Sequence, residues 1–158
     1  MKCRKREPKA AYILLLAMFW SGCNTGVDEG DRIIDLLPVA DIQKIIGDDQ
    51  IVAEPGKPLT NGSDCYYHST GKTSVHVVVF EDSAKLFPNF QLDDHYSSYE
   101  GLGDNGLAGA GSVVFTRDAD LFEVKVAMSL EEHSDLASPE QLLQIAKLLD
   151  QRLESREK

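Results

Sequence analysis

The 158 residues contain three cysteines, Cys3, Cys23 and Cys65, with no C-x-x-C pair among them. Structural zinc held by paired thiols is therefore excluded. Basic residues are also scarce: 16 Lys and Arg stand against 26 Asp and Glu, a formal charge of −10. A nucleic-acid binder needs a basic face to neutralise phosphates, so this composition argues against one. The longest apolar run, Ala10 to Trp20, has 11 residues. At 1.5 Å per residue it covers roughly 16 Å, about half the hydrocarbon thickness of a bilayer, too little for a spanning helix. H-E-x-x-H, an EF-hand loop, a P-loop and G-x-S-x-G are all missing, so no catalytic residue or cofactor is assigned. What remains is a 42 % apolar chain of a length that suits one domain.

The average charge conceals a split. Lys2, Arg4, Lys5, Arg6 and Lys9 fall within the first 22 positions with a single acid, Glu7; from residue 23 onward 11 basic residues face 25 acidic ones, a charge of −14. A basic start, a short apolar block and the small residues Ser21 and Gly22 follow the plan of a secretory signal peptide over 1–22. Trp20-Ser21-Gly22-Cys23 resembles the bacterial lipobox, with Trp20 where an aliphatic residue is usual. The resemblance implies a diacylglycerol thioether on Cys23, cleavage before it, and acylation of the new amino terminus. Several acyl chains, at roughly 0.8 kcal/mol per buried CH₂, hold a protein on a membrane without a spanning helix. Asn24 stands where Asp usually retains lipoproteins at the inner membrane, which implies outer-membrane delivery, facing the periplasm, in a double-membraned host and the outer face of the cell membrane otherwise.

Beyond Cys23, residues 23–32 read as a lipidated terminus and flexible tether, rich in Gly and Asp. Residues 33–155 read as one domain and 156–158 as a tail. Pro38, Asp41, Ile42, Ile45, Ile46 and Gly47 predict a short helix over 38–46, with Gly47 as a left-handed stop. A first hairpin is expected from 65–69 and 73–80, with Val75, Val77 and Val79 on the core face. A second is expected from 112–117 and 121–128, where Phe122, Val124, Val126 and Met128 alternate with Glu123 and Lys125. Ser138, Pro139 and Gln141 form a capping box opening a helix whose stripe is Leu142, Ile145, Ala146, Leu149 and Leu153. The expected fold is α+β: an antiparallel sheet of about four to five strands covered on one face by the short N-terminal helix and the C-terminal helix.

Few constellations carry chemistry. Gly101-Leu102-Gly103-Asp104-Asn105-Gly106 matches G-x-G-x-x-G, but no buried strand precedes it and no helix opens after it, so a tight turn is expected rather than a nucleotide site. His68 and His76 lie on neighbouring strands; Asp93, Asp94 and His95 are adjacent on a connection, where ligands rarely converge on one ion, and no metal site is assigned. Cys65, alone in the domain, has no internal disulfide partner and suits a small buried apolar position. The connection 82–100 is long and carries Phe87, Phe90, Tyr96 and Tyr99 beside Asp93, Asp94 and Glu100. Its candidate partner-binding residues are Tyr96, Tyr99, Asp93 and Asp94, with Phe87 and Phe90 read as core.

The order of these features, from the short helix ending at Gly47 through Cys65-x-Tyr67, the valine-rich strand, Gly101-Leu102-Gly103-Asp104 and the closing helix, resembles certain bacterial cell-envelope lipoproteins of unknown function. Members often carry a second cysteine before the first helix; Leu36-Leu37-Pro38 stands there, so no family disulfide is carried over. The resemblance implies an exported, non-enzymatic α+β domain and supplies no ligand. The expected role is a lipid-anchored binding or accessory module, held to the membrane through its lipid and meeting an envelope protein. The alternative is a metal-dependent or small-ligand protein using 82–100.

Overall fold

A computed structural model describes residues 29–57, 59–69, 74–109, 111–127 and 137–156. The signal peptide, Cys23, Met128 and the last two residues of the tail lie outside them. Helices α1 (Glu29–Leu36) and α2 (Val39–Ile46) come first, then strands β1 (Val52–Pro55), β2 (Gly62–His68) and β3 (Ser74–Phe80). A 3₁₀ turn (Ala84–Leu86) and α3 (Phe87–Gln91) lead to β4 (Tyr96–Ser98), β5 (Asn105–Gly109), β6 (Ser112–Arg117), β7 (Asp120–Ala127) and α4 (Pro139–Arg156).

The seven strands of the described residues form one antiparallel sheet in the order β1-β2-β3-β7-β6-β5-β4. The sheet is larger than the four or five strands expected because β1, β4 and β5 are short and lie at or beside its edges. There they bury little and show no alternation for a sequence pattern to betray. The expected hairpins are its centre. Val75, Val77 and Val79 are buried on one face with Phe122 and Val124, and Phe115 stacks on its cross-strand partner Phe122 at 4.9 Å.

That face is sealed by α1, α2 and α4. Ile33, Leu36, Leu37 and Ile42 meet Leu142, Ile145, Ala146 and Leu149 over the sheet. Placing α1 from Glu29 corrects the tether boundary: residues 29–32, read as spacer, are helical. The Gly and acidic residues hid a turn whose purpose is to deliver Ile33 and Leu36 to the core. Val39 rather than Pro38 starts α2, and Gly47 ends it at φ 81°. The capping box of α4 is present: the Gln141 N–H donates to Ser138 Oγ at 3.2 Å, and the Ser138 N–H to Gln141 Oε1 at 2.8 Å.

Two ion-paired clamps fix α4 lengthwise. Arg152 Nη1 donates to the Leu36 carbonyl at 2.6 Å while Nη2 pairs with Asp41. Asp150, buried, accepts from Arg117 Nε at 2.7 Å and from the Gly103 N–H at 2.9 Å. Arg152 thus ties α4 to both α1 and α2. On the opposite face Phe87 and Phe90 pack on Leu107, Val114 and Leu121, with Phe80 and Tyr96 beside them. The expectation of cover on one face is extended accordingly.

Candidate functional site

The glycine turn is built from the α4 clamp. Gly103 sits at φ 56°, and a Cβ there would lie 2.2 Å from the Thr116 carbonyl oxygen, so only glycine lets the turn lie against β6. The Asp104 N–H donates to that same carbonyl at 2.8 Å, and Asp104 Oδ2 accepts from the Asp118 N–H at 2.8 Å. The G-x-G-x-x-G segment is therefore a turn that enters β5, tied down by Asp150 and Asp118.

Between this turn and α3 lies a cleft of about 300 Å³, lined by Phe87, Gln91, Tyr99, Glu100, Asp104 and Asn105 among others. Its walls are mostly polar, with carboxylates of Glu100 and Asp104 and the amides of Gln91 and Asn105. Such a wall offers acceptors to a hydroxylated or cationic ligand.

The four candidate binding residues do not form one patch. Tyr96 lies on the face under α3: its ring meets Phe90 edge-on at 6.1 Å, and its hydroxyl bonds Ser112 Oγ across the strand between them, β5. Tyr99 lies on the other face, packed against the main core with Lys147 Nζ 4.9 Å from its ring centroid, and it also borders the cleft. Asp93 and Asp94 are exposed at the opposite end of β4 and do not line the cleft. Asp93 accepts the His95 N–H at 2.9 Å and meets His95 Nδ1 at 2.6 Å, which holds its carboxyl below the usual range. It is a turn-capping residue. Phe87 and Phe90 close the second core, as read.

A second cluster was not picked out from the sequence. On the face away from α4, His76 Nε2 lies 2.8 Å from Asp64 Oδ2, and the His76 ring stacks on Tyr66 at 4.0 Å. Asp64 is buried; its Oδ1 has no hydrogen-bond partner among the described residues and rests against Gly56, where a Cβ would lie 1.9 Å away. Nearby, His68 Nε2 lies 3.1 Å from Glu54, and Lys125 Nζ 2.7 Å from Glu123. His68 and His76 thus take separate carboxylate partners. The only signal available was alternation: Asp64, Tyr66 and His68 share one side of β2, as His76 does of β3.

Among the described residues no three His, Cys, Asp or Glu side chains are grouped to hold a metal ion. Cys65 is fully buried and its thiol is pushed up by burial to about 11, which keeps it protonated and unreactive. Tyr67, also fully buried, donates its hydroxyl to the Leu37 carbonyl at 2.7 Å, and burial drives its phenol far above the usual range. No protein-family model, curated protein or solved structure matches the chain.

Proposed function

We propose that the chain is a lipid-anchored cell-envelope protein whose acidic α+β domain acts as a binding or accessory module, without catalysis of its own. The observation that carries this reading is the lipobox-like Trp20-Ser21-Gly22-Cys23 behind a basic, then apolar, start, placed six residues before a domain that closes its own core from Ile33 onward. Among the described residues no helix is long and apolar enough to cross a membrane, so on this reading attachment falls to Cys23. The partner is an envelope protein, and the cleft beside Tyr99 and Glu100 is the surface offered to it.

Replacing Cys23→Ser should move the protein from the membrane fraction to the soluble one and abolish incorporation of labelled palmitate; retention of the variant at the wild-type level would sink the reading. Cross-linking in intact cells then identifies the partner. The second reading, a small-ligand or metal-binding role for 82–100, is favoured by one observation, the polar cleft at its C-terminal end. Calorimetry of the domain with Zn²⁺ and Ca²⁺ separates the two, since stoichiometric binding supports the second.

A further inference from the structure

We propose that the domain stands end-on to the bilayer, with the sheet end formed by residues 80–86, 98–106 and 117–120 toward the lipid headgroups. This rests on the anchoring through Cys23 proposed above.

The support is the path of α1. Arg32 Nη1 lies 3.3 Å from Glu81, the residue that follows β3, and Arg32 and Ile33 border the same crevice as Ser63, Val79, Asp120 and Leu153. Helix α1 then climbs the sheet, since the Leu37 carbonyl accepts from Tyr67, whose register partner Val75 is near the start of β3. The chain therefore enters the fold where β3 and α4 finish and β2 and β7 begin. Six residue steps separate Cys23 from Glu29. Fully extended they reach about 20 Å, comparable to the length of a seven-residue strand. The entry end is thus leashed close to the lipid, while the far end is not.

Charge distinguishes the two ends only weakly. At the entry end Arg32, Lys57, Lys85, Arg117 and Arg156 stand among the acids Glu81, Asp82, Glu100, Asp104, Asp118 and Asp120, and Leu86 is 44 % exposed beside Lys85. The far end carries the acidic residues Asp48, Asp49, Asp93, Asp94 and Glu140, with Lys44 as a counterweight. Both ends are net acidic, so the short leash, and not attraction to anionic headgroups, sets the orientation. The cleft opens at the entry end, three strand spacings from β3, about 14 Å to the side. Its occupant would be met at the level of the headgroups.

The test uses full-length lipidated protein on vesicles of phosphatidylethanolamine and phosphatidylglycerol carrying a headgroup-linked acceptor dye. A donor is placed on single new cysteines at Lys85 or Ala119, and at Gly111 or Glu140, all exposed; buried Cys65 does not compete for label. Energy transfer from 85 and 119 should exceed that from 111 and 140 by about twofold or more, as the ends lie roughly 20 Å apart. Equal or reversed transfer overturns the orientation while leaving the anchor intact. Failure of the wild type to float with the vesicles overturns the anchor and this proposal with it. Two positions per end keep the comparison readable if one variant misfolds.

Discussion

The two faces of the sheet meet the same demand in different ways. Under α1, α2 and α4 the inward positions of β3 and, beyond Asp120, of β7 are apolar, and those of β2 and β6 add Cys65, Tyr67, Val113 and Phe115. On the opposite side the same strands carry Asp64, Tyr66, His76, Glu123 and Lys125, with apolar cover among the described residues where the five-residue α3 lies. The first face gains from contact area, at about 25 cal/mol per Å² of apolar surface buried. The second relies on cross-strand pairs worth roughly 0.2–1 kcal/mol each. Stability therefore resides mainly on one side, leaving the other side and the strand ends freer to vary their chemistry.

Truncation on the two sides tests that difference most strongly. Leu149→Ala, at a fully buried position between α4 and the sheet, should cost about 3–5 kcal/mol in denaturant unfolding. Phe90→Ala, on a half-buried ring under α3, should cost about 1–2 kcal/mol despite removing a larger side chain. Equal losses would break the comparison, because α3 would then be as much a part of the core as α4.

The same division explains what could be read from the sequence. Residues facing α4 alternate cleanly, so β3, β6, β7, the capping box and the buried Cys65 were all legible. Edge elements were not: β1 contains Pro55, and β5 reads Asn-Gly-Leu-Ala-Gly. That composition suits a strand whose glycine at 109 lies against β4, where a Cβ would stand 3.0 Å from the His95 carbonyl oxygen and 3.3 Å from the Tyr96 ring. Helix α1 was hidden because only Ile33, Ile34, Leu36 and Leu37 carry its packing behind polar neighbours. The candidate site was legible as a segment but not as a surface. Residues 93–99 are contiguous in sequence, yet β4 separates Asp93 from Tyr99 along its length, and its pleat sends Tyr96 and Tyr99 to opposite faces.

Within the sealed face, pH gives the next largest effect. Cys65 ionises near 9 in an open chain and near 11 in the fold, because burial penalises the thiolate. Between those values the unfolded chain has lost a proton that the folded one keeps, so stability falls as pH rises from about 9 to 11, by roughly 1–2 kcal/mol. Cys65→Ala should flatten the part of that slope owed to the thiol, leaving the Tyr67 phenol, which ionises near 10 in an open chain, to lower stability from about pH 10 upward. An unchanged slope between pH 9 and 11 would mean that water reaches this part of the core.

The smallest effect decides what Tyr96 is for. Its ring contact with Phe90 and its hydroxyl bond to Ser112 bind β4, the outermost strand, across β5 to β6. Tyr96→Phe keeps the ring contact and leaves the buried Ser112 hydroxyl without that partner, at a cost of about 0.5–1.5 kcal/mol. If Tyr96 is a strut of the polar face, that loss should appear in unfolding while cross-linked partner capture stays at the wild-type level. Tyr99→Ala, which alters the cleft wall, should reduce capture. A Tyr96→Phe variant with unchanged stability and lost capture would reverse the assignment and return Tyr96 to the binding surface, placing the partner on the face under α3 and not at the cleft.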